Sequence, residues 1–384
     1  MKLFKNISEL RTVSDAGTIK DAALIEEDGI IRWVGIATDV PAEFAEAETI
    51  DCGNRAEEFE ARMAGADYAA GGIAVTMEAT RSAGAQRLEK LLVERIQAGH
   101  AGGTTTFETK TGYGLNTESE LEAAQVAALH ADDVTFLGAH LVPPGADAEE
   151  YVDEVVGSML EQVAPHVDWI DVFCERGAFN EAQSRRVLEA GKKAGLGLRV
   201  HGNQLGDGPG VQLAVELGAA SVDHVNYLTD EDVSALAGSG TVATMLPACD
   251  LSTRQPLVDA RRLLDAGATV AIASNLNPGT SFTSSMNYCV TTAVLQQYMS
   301  LDEAIEAATL GGAKALRRNA VSTDGGSGSG LDAKGRPAKG QLVVGAACDL
   351  HILDAANAIN LAYRPGMPAT YQTWLAGKEV YSSR

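Results

Sequence analysis

The chain has 384 residues, 45% of them hydrophobic, and a formal charge of -22. This length suits two domains, or one large barrel with an appendage, and the negative charge disfavours nucleic acid and anionic membranes as partners. No apolar run approaches the roughly 20 residues that span a bilayer. The N-terminal stretch lacks a secretory pattern and the five cysteines form no C-x-x-C pair, so a cytoplasmic protein without a disulfide framework or zinc knuckle is expected.

In chain order, residues 1–50 hold short strand-like pieces, "AALIEEDG" and "IIRWVGI", and read as part of a small β domain. After "ETIDC" the chain offers no further apolar strand until Thr104. From there "TTTFETK", "VTFLGAH", "WIDVFCE", "LGLRVHG", "ASVDHVNYL", "TVATMLPAC" and "TVAIASNLN" read as seven strands. The segments Asp147 to His166, Asn180 to Gly195 and Gln255 to Gly267 between them have helical spacing. Near-continuous apolar strands alternating with helices imply a parallel sheet covered by helices.

Nearly every run ends in a polar residue: Lys110, His140, Glu175, His201, His224, Asn275, Asn277. In a (β/α)8 barrel the strand C-termini and the following loops form the active face. The expected fold is therefore α/β, a (β/α)8 TIM-type barrel over residues 51–317. A doubly wound sheet would announce itself with a Gly-rich first turn, and "KTGYGLNT" lacks the third glycine. Residues 318–340, rich in Gly, Ser and Pro, read as a flexible exposed loop. Residues 341–384 return to short strands and are expected to join residues 1–50 in one β-sandwich. The count of barrel strands is one short of eight. Either the first strand lies elsewhere, or about 20 residues, a strand with its connections, are absent.

His201 and His224 end successive strands. Neighbouring parallel strands lie about 5 Å apart, so the two imidazoles can meet over one ion. Taken singly, each residue has a plainer reading: a hydrogen-bonded core imidazole for His201, a packing residue for Tyr113, a solvated charge beside Glu57 and Glu58 for Arg55, and small buried hydrophobes for most cysteines.

Together, "GNRAEEFEARMAG", "GGIAVTMEATRSAG", "ETKTGYGL", "FLGAHLVPP", "DVFCERGAF", "VHGNQLGDGPGVQLAVELGAASVDH" and "SNLNPGTS" resemble the imidazolonepropionases, ring-opening hydrolases of histidine degradation in the amidohydrolase superfamily. The resemblance implies a barrel plus a β-sandwich built from both chain ends, a homodimer, and metal-assisted hydrolysis of a small molecule, 4-imidazolone-5-propanoate, to N-formimidoyl-L-glutamate. It also implies one mononuclear Zn²⁺ or Fe ion, since no lysine stands on the strand ending in Cys174 and Glu175 to bridge two metals. Metal ligands carried over are His201 and Asn275. His224 and Gln204 carry over as catalytic residues. Arg55, Tyr68, Tyr113, His140, Gln204, Asn277, Gly279 and Thr280 carry over as substrate contacts, with Arg55 on the propionate. Two departures stand out. The family's His-x-His strand is missing, "IDC" running straight into "GNRAEEF", and Asn275 replaces the family's metal-binding Asp. An amide oxygen can coordinate, but it has no charge and cannot act as a base. Competing readings are a homologue that binds substrate without turnover and another cyclic-amide or aminopurine hydrolase of the superfamily.

Overall fold

The structure, a computed structural model, describes residues 1–12, 14–15, 17–44, 47–51, 73–320 and 330–384. The chain divides into two units, Met1–Asp67 and Tyr68–Arg384. In the first unit, β1 (Lys2–Arg11), β2 (Thr18–Glu27), β3 (Ile30–Ile36) and β4 (Glu48–Asp51) form one sheet in the order β3-β2-β1-β4. Only the β1–β4 pairing is parallel. Asp28 and Gly29 turn β2 into β3 with φ of 51° and 78°, the left-handed pair that suits a two-residue hairpin. Ala22, Ala23 and Ile25 are the fully buried apolar residues of β2.

In the second unit, all seven apolar runs between Thr104 and Asn277 contain strands. They are β5 (Glu108–Lys110), β6 (Asp133–Ala139), β7 (Trp169–Cys174), β8 (Gly197–Gly202), β9 (Ser221–His224), β10 (Val242–Met245) and β11 (Val270–Ile272). They pair in sequence order, every pairing parallel. Every residue of β6, β7, β9, β10 and β11 is buried, which accounts for the missing polar alternation. Helices such as Thr117–His130, Glu181–Lys193 and Gly210–Leu217 connect the strands. Asn180 with Gln183, and Thr229 with Asp232, close capping boxes that satisfy the first free N–H groups of their helices.

Phe136, Ile170, Val172, Val187, Leu188, Leu213, Leu236 and Leu263 pack between sheet and helices. Burying each such side chain stabilises by about 1.5–3 kcal/mol. One contact demands glycine on both sides. A Cβ on Gly202 would lie 2.9 Å from Gly210 Cα, and one on Gly210 would lie 2.8 Å from Gly202 Cα, so the helix Gly210–Leu217 can start directly against the end of β8.

β5 and β11 are the edges of this sheet, and among the described residues no eighth strand pairs with either. The segment expected as a flexible loop is held at both described ends. Arg318 pairs with Asp133 at 2.9 Å, and Lys339 lies 3.1 Å from both Asp132 and Asp349. Beyond it, β12 (Leu350–Leu353), β13 (Thr370–Leu375) and β14 (Lys378–Ser382) form an antiparallel sheet in that order. No helix among the described residues is long and apolar enough to cross a membrane.

Candidate active site

Strand register assembles the site. Parallel pairing sets Phe173 beside His201, His201 beside Asp223, and Gly202 beside His224. At the strand ends the rings form a continuous row. Tyr113 meets His140 at 5.2 Å between centroids, His140 meets Phe173 at 5.9 Å, Phe173 meets His201 at 6.1 Å, and His201 meets His224 at 5.4 Å. Four residues singled out in the sequence thus converge from separate strands. The backbone is left-handed at Asn203 (φ 58°), His224 (84°), Val225 (51°) and Asn275 (51°). Asn takes this region readily. The β-branched Val225 does not, and such strain collects at functional sites.

The loop carrying Tyr113 is gripped from two sides. Glu120, fully buried, accepts the N–H groups of Gly112 (2.6 Å), Gly114 (2.8 Å) and Leu115 (2.9 Å). Arg81 donates to the Gly114 carbonyl at 2.7 Å and the Leu115 carbonyl at 3.2 Å. Gly112 itself has φ 101° and leaves no room for a Cβ against the Leu137 carbonyl. Burial pushes the Tyr113 phenol up to about 12, so at neutral pH it is a hydrogen-bond donor.

His140 Nδ1 lies 2.8 Å from the Gly112 carbonyl. A carbonyl only accepts, so Nδ1 carries the proton and Nε2 keeps its lone pair. Burial, aided by nearby His201, lowers the His140 pKa to about 4. Burial, again with His201 beside it, holds His224 neutral, well below 6.5. Burial alone would lower His201 too, but Asp171 outweighs it and the pKa rises. Asp171 Oδ2 is 3.0 Å from His201 Nδ1, close enough for an ion pair.

Next to this pair is a charge network absent from the sequence expectations, buried at Asp171 and Asp223 and half-buried at Lys110 and Glu108. Lys110 Nζ lies 3.0 Å from Glu108, 3.0 Å from Asp171 and 3.5 Å from Asp223. Burial would favour a neutral amine, but the three carboxylates win and hold the ammonium charged. Thr135 hydrogen-bonds Glu108, and Ser221 bridges Arg199 to Asp223 at 3.0 Å on each side. The sequence signal was parity. Asp171 is the one charged residue of the apolar β7, on the face of Phe173, and Asp223 shares its face of β9 with Ser221.

Gln204, Asn275 and Thr280 gather round Cys249, which the sequence alone presents as a small buried hydrophobe. Gln204 Nε2 is 3.9 Å from Cys249 Sγ. Burial and nearby Asp250 push the Cys249 thiol up to about 11, while hydrogen-bonding side chains of Thr280, Asn275 and Thr253 pull the other way. Asn277 has both ends of its amide engaged in the loop, donating to the Asn275 carbonyl (2.7 Å) and accepting from the N–H groups of Gly279 (2.9 Å) and Thr280 (2.7 Å). It shapes the turn that presents Gly279 and Thr280. Arg55 and Tyr68, expected on the substrate, lie outside the described residues, as does the stretch where the His-x-His strand is missing.

No family model matches the chain. It is 60% identical over 366 residues to an imidazolonepropionase of Saccharopolyspora erythraea, covering 91% of each chain. It is 56% identical over 373 residues to that of Arthrobacter sp. strain FB24, covering 90% of this chain and 91% of the relative. The chain belongs to the imidazolonepropionase family. A third imidazolonepropionase, from Micrococcus luteus, is 53% identical over 384 residues, covering 91% of this chain and 92% of the relative. Among solved structures, a zinc-bound adenosine deaminase from Xanthomonas campestris matches 98% of this chain and 92% of its own with a TM-score of 0.58 at 18% identity. A guanine deaminase from C. acetobutylicum, with guanine in its active site, matches 99% of this chain and 100% of its own with a TM-score of 0.58 at 13% identity. At these identities the likeness is one of fold.

For an imidazolonepropionase metal, the residues present are a poor match. Of the ligands implied by the resemblance, the described residues supply His201 and Asn275. Asn275 is neutral, and Asp171, the carboxylate against His201, already faces Lys110. Two neutral donors are fewer than the three protein ligands of a catalytic zinc site.

Proposed function

We infer that the chain hydrolyses 4-imidazolone-5-propanoate to N-formimidoyl-L-glutamate, cleaving a carbon–nitrogen bond of a cyclic amide. The observation that carries this reading is the row Tyr113–His140–Phe173–His201–His224 at the strand ends, half-buried at Tyr113 and His140 and buried from Phe173 to His224, in a chain 60% identical to an imidazolonepropionase. The seven strands belong, in this reading, to an eight-stranded (β/α)8 barrel, with one β-sandwich from residues 1–50 and 341–384 and a homodimeric, cytoplasmic assembly.

The residues divide the work by chemistry. Arg55 forks onto the propionate carboxylate through two hydrogen bonds. Neutral His140 offers the Nε2 lone pair to a ring N–H, and the protonated Tyr113 phenol donates to the ring. Gln204, Gly279 and Thr280 line the opposite side, on the loops after β8 and β11. The reaction adds a water oxygen to the ring carbonyl carbon, breaks the carbon–nitrogen bond and returns a proton to the departing nitrogen. His224, held neutral, is the base that takes the water's proton and passes it on. In imidazolonepropionases as the resemblance describes them, one Zn²⁺ or Fe ion activates that water. His201 and Asn275 alone do not make such a site.

The test is direct. Purified protein is incubated with the imidazolone, and loss of the ring chromophore is followed alongside the mass of the product. His224→Ala is expected to lower kcat by roughly 100- to 10,000-fold, the usual contribution of a positioned acid or base. Binding of a propionate-bearing analogue with no ring opening, even after incubation with Zn²⁺ or Fe²⁺, would replace this reading with that of a binding-only homologue.

A further inference from the structure

Two successive residues at the end of β9 are held in the left-handed region, His224 with φ 84° and Val225 with φ 51°. Neither is glycine, and the β-branched Val225 is among the residues least suited to that region. Strain of this kind persists only where neighbouring groups over-determine the backbone. Three hydrogen bonds to the end of β8 do so here. Val225 donates its N–H to the Gly202 carbonyl at 3.2 Å, Tyr227 donates its N–H to the Asn203 carbonyl at 3.0 Å, and the Asn203 side chain returns a bond from Nδ2 to the Tyr227 carbonyl at 2.8 Å.

Asn203 closes this tie from a fully buried position. Its Nδ2 also reaches Asp232 Oδ2 at 3.4 Å, and its Oδ1 accepts the Val211 N–H at 3.4 Å. The helix Gly210–Leu217 has Pro209 at its N-cap and no capping side chain there, so this Oδ1 satisfies one of the N–H groups that a helix start leaves free. One amide thus joins three segments: the end of β8, the start of the helix that follows it, and the turn after β9. Its orientation is forced, because only Nδ2 can donate to a carbonyl and a carboxylate and only Oδ1 can accept. Asn203 is itself left-handed, with φ 58°, and the N–H of the next residue, Gln204, is taken by Glu175.

We propose that Asn203 is a positioning residue for His224: its amide fixes the left-handed turn that aims the imidazole into the row of rings. It acts through the turn and not on the substrate. The consequence for catalysis rests on the ring-opening reading above, in which His224 is the base, whereas the tie between the two strand ends does not. A misplacement of about 1 Å in a reacting group can cost on the order of 100-fold in rate, so loss of the amide should be visible in kcat.

Asn203→Gly tests this, because glycine enters the left-handed region freely and only the amide is lost. Val187→Ala, a truncation of a buried side chain in the helix Glu181–Lys193, controls for loss of stability alone. Asn203→Gly is expected to lower kcat by roughly 10- to 100-fold with KM changed less than about threefold, while Val187→Ala keeps the parent kcat. In a His224→Ala background the same substitution should cost nothing more, since a base that is gone cannot be misaimed. Far-ultraviolet circular dichroism checks folding. If the glycine variant is unfolded, Asn203→Asp serves, which keeps the size and the left-handed tolerance but has no N–H for the Tyr227 carbonyl. Histidines labelled with carbon-13 at Cε1 give a readout free of turnover. Of their seven resonances, the one lost in His224→Ala should shift in Asn203→Gly and stay in place in Val187→Ala. An unchanged kcat in folded Asn203→Gly, a loss that adds in full to that of His224→Ala, or an unmoved His224 resonance each overturns the proposal. A parent protein that opens no ring refutes the reading above, and the resonance then decides the role of Asn203 by itself.

Discussion

Glu120 fixes Tyr113 through the backbone rather than the ring. Its carboxylate accepts the N–H groups on either side of that tyrosine, at Gly112 and Gly114, with distances of 2.6 and 2.8 Å. The loop that carries Tyr113 is therefore set by a residue outside the row of rings.

Glu120→Ala should strand three N–H groups in the interior. At about 1–3 kcal/mol for each unsatisfied buried group, less whatever water recovers, the variant is expected to lose on the order of 3 kcal/mol of stability. Affinity for a substrate analogue should fall with it, because Tyr113 is no longer held. Urea denaturation and analogue titration measure the two effects, and an unchanged affinity would remove Glu120 from any positioning role.

His140 sets a pH dependence. Burial lowers its pKa from 6.5 to about 4. Between these values the unfolded chain binds more protons than the native one, so stability falls as pH falls through that window. The loss approaches about 3 kcal/mol near pH 4 and vanishes above pH 7. His140→Asn, which cannot titrate, should flatten that part of the stability profile. Identical slopes for both proteins from pH 7 to pH 4.5 would show that the ring is not held neutral.

Lys110 is the central cation of a largely buried network, and removing it leaves its carboxylates facing one another. Lys110→Met leaves Glu108, Asp171 and Asp223 facing Arg199 and the His201 imidazole among the described residues, and is expected to cost on the order of 3 kcal/mol. Adding Asp171→Asn removes one uncompensated charge and should return part of the loss. Urea midpoints of the single and double variants decide it. A Lys110→Met protein as stable as the parent would mean that the network is not energetically coupled.

The seven parallel strands were legible because buried parallel strands leave an apolar signature that helices do not interrupt. His201, His224 and His140 were legible for the same reason, as polar residues that end apolar runs, whereas Tyr113, in the loop after Lys110, came only from the family resemblance. Their partners were hidden by context. "TVATMLPAC" reads as one strand, yet Pro247, with φ already suited to a first helical turn, ends the strand and starts a helix. That change of element brings Cys249 and Asp250 to His224, and no spacing in the sequence reveals it. Lys110 was visible as a strand end. Its three carboxylates come from β5, β7 and β9, so their meeting depends on register across the sheet. Glu120 reads as an ordinary acidic residue in the first turn of a helix, and only the path of the preceding loop makes it a clamp.

The left-handed turn at Asn275 has a consequence for how this chain can change over generations. Asn and Asp share a tolerance for that backbone region, so exchanging one for the other keeps the fold at no conformational expense. Their codons differ by a single nucleotide. Asn275→Asp would put a carboxylate beside the Cys249 thiol, where the amide now stands. The backbone at this one position therefore keeps a neutral and an anionic form of the site within one mutational step of each other, and selection can move between them without rebuilding the scaffold.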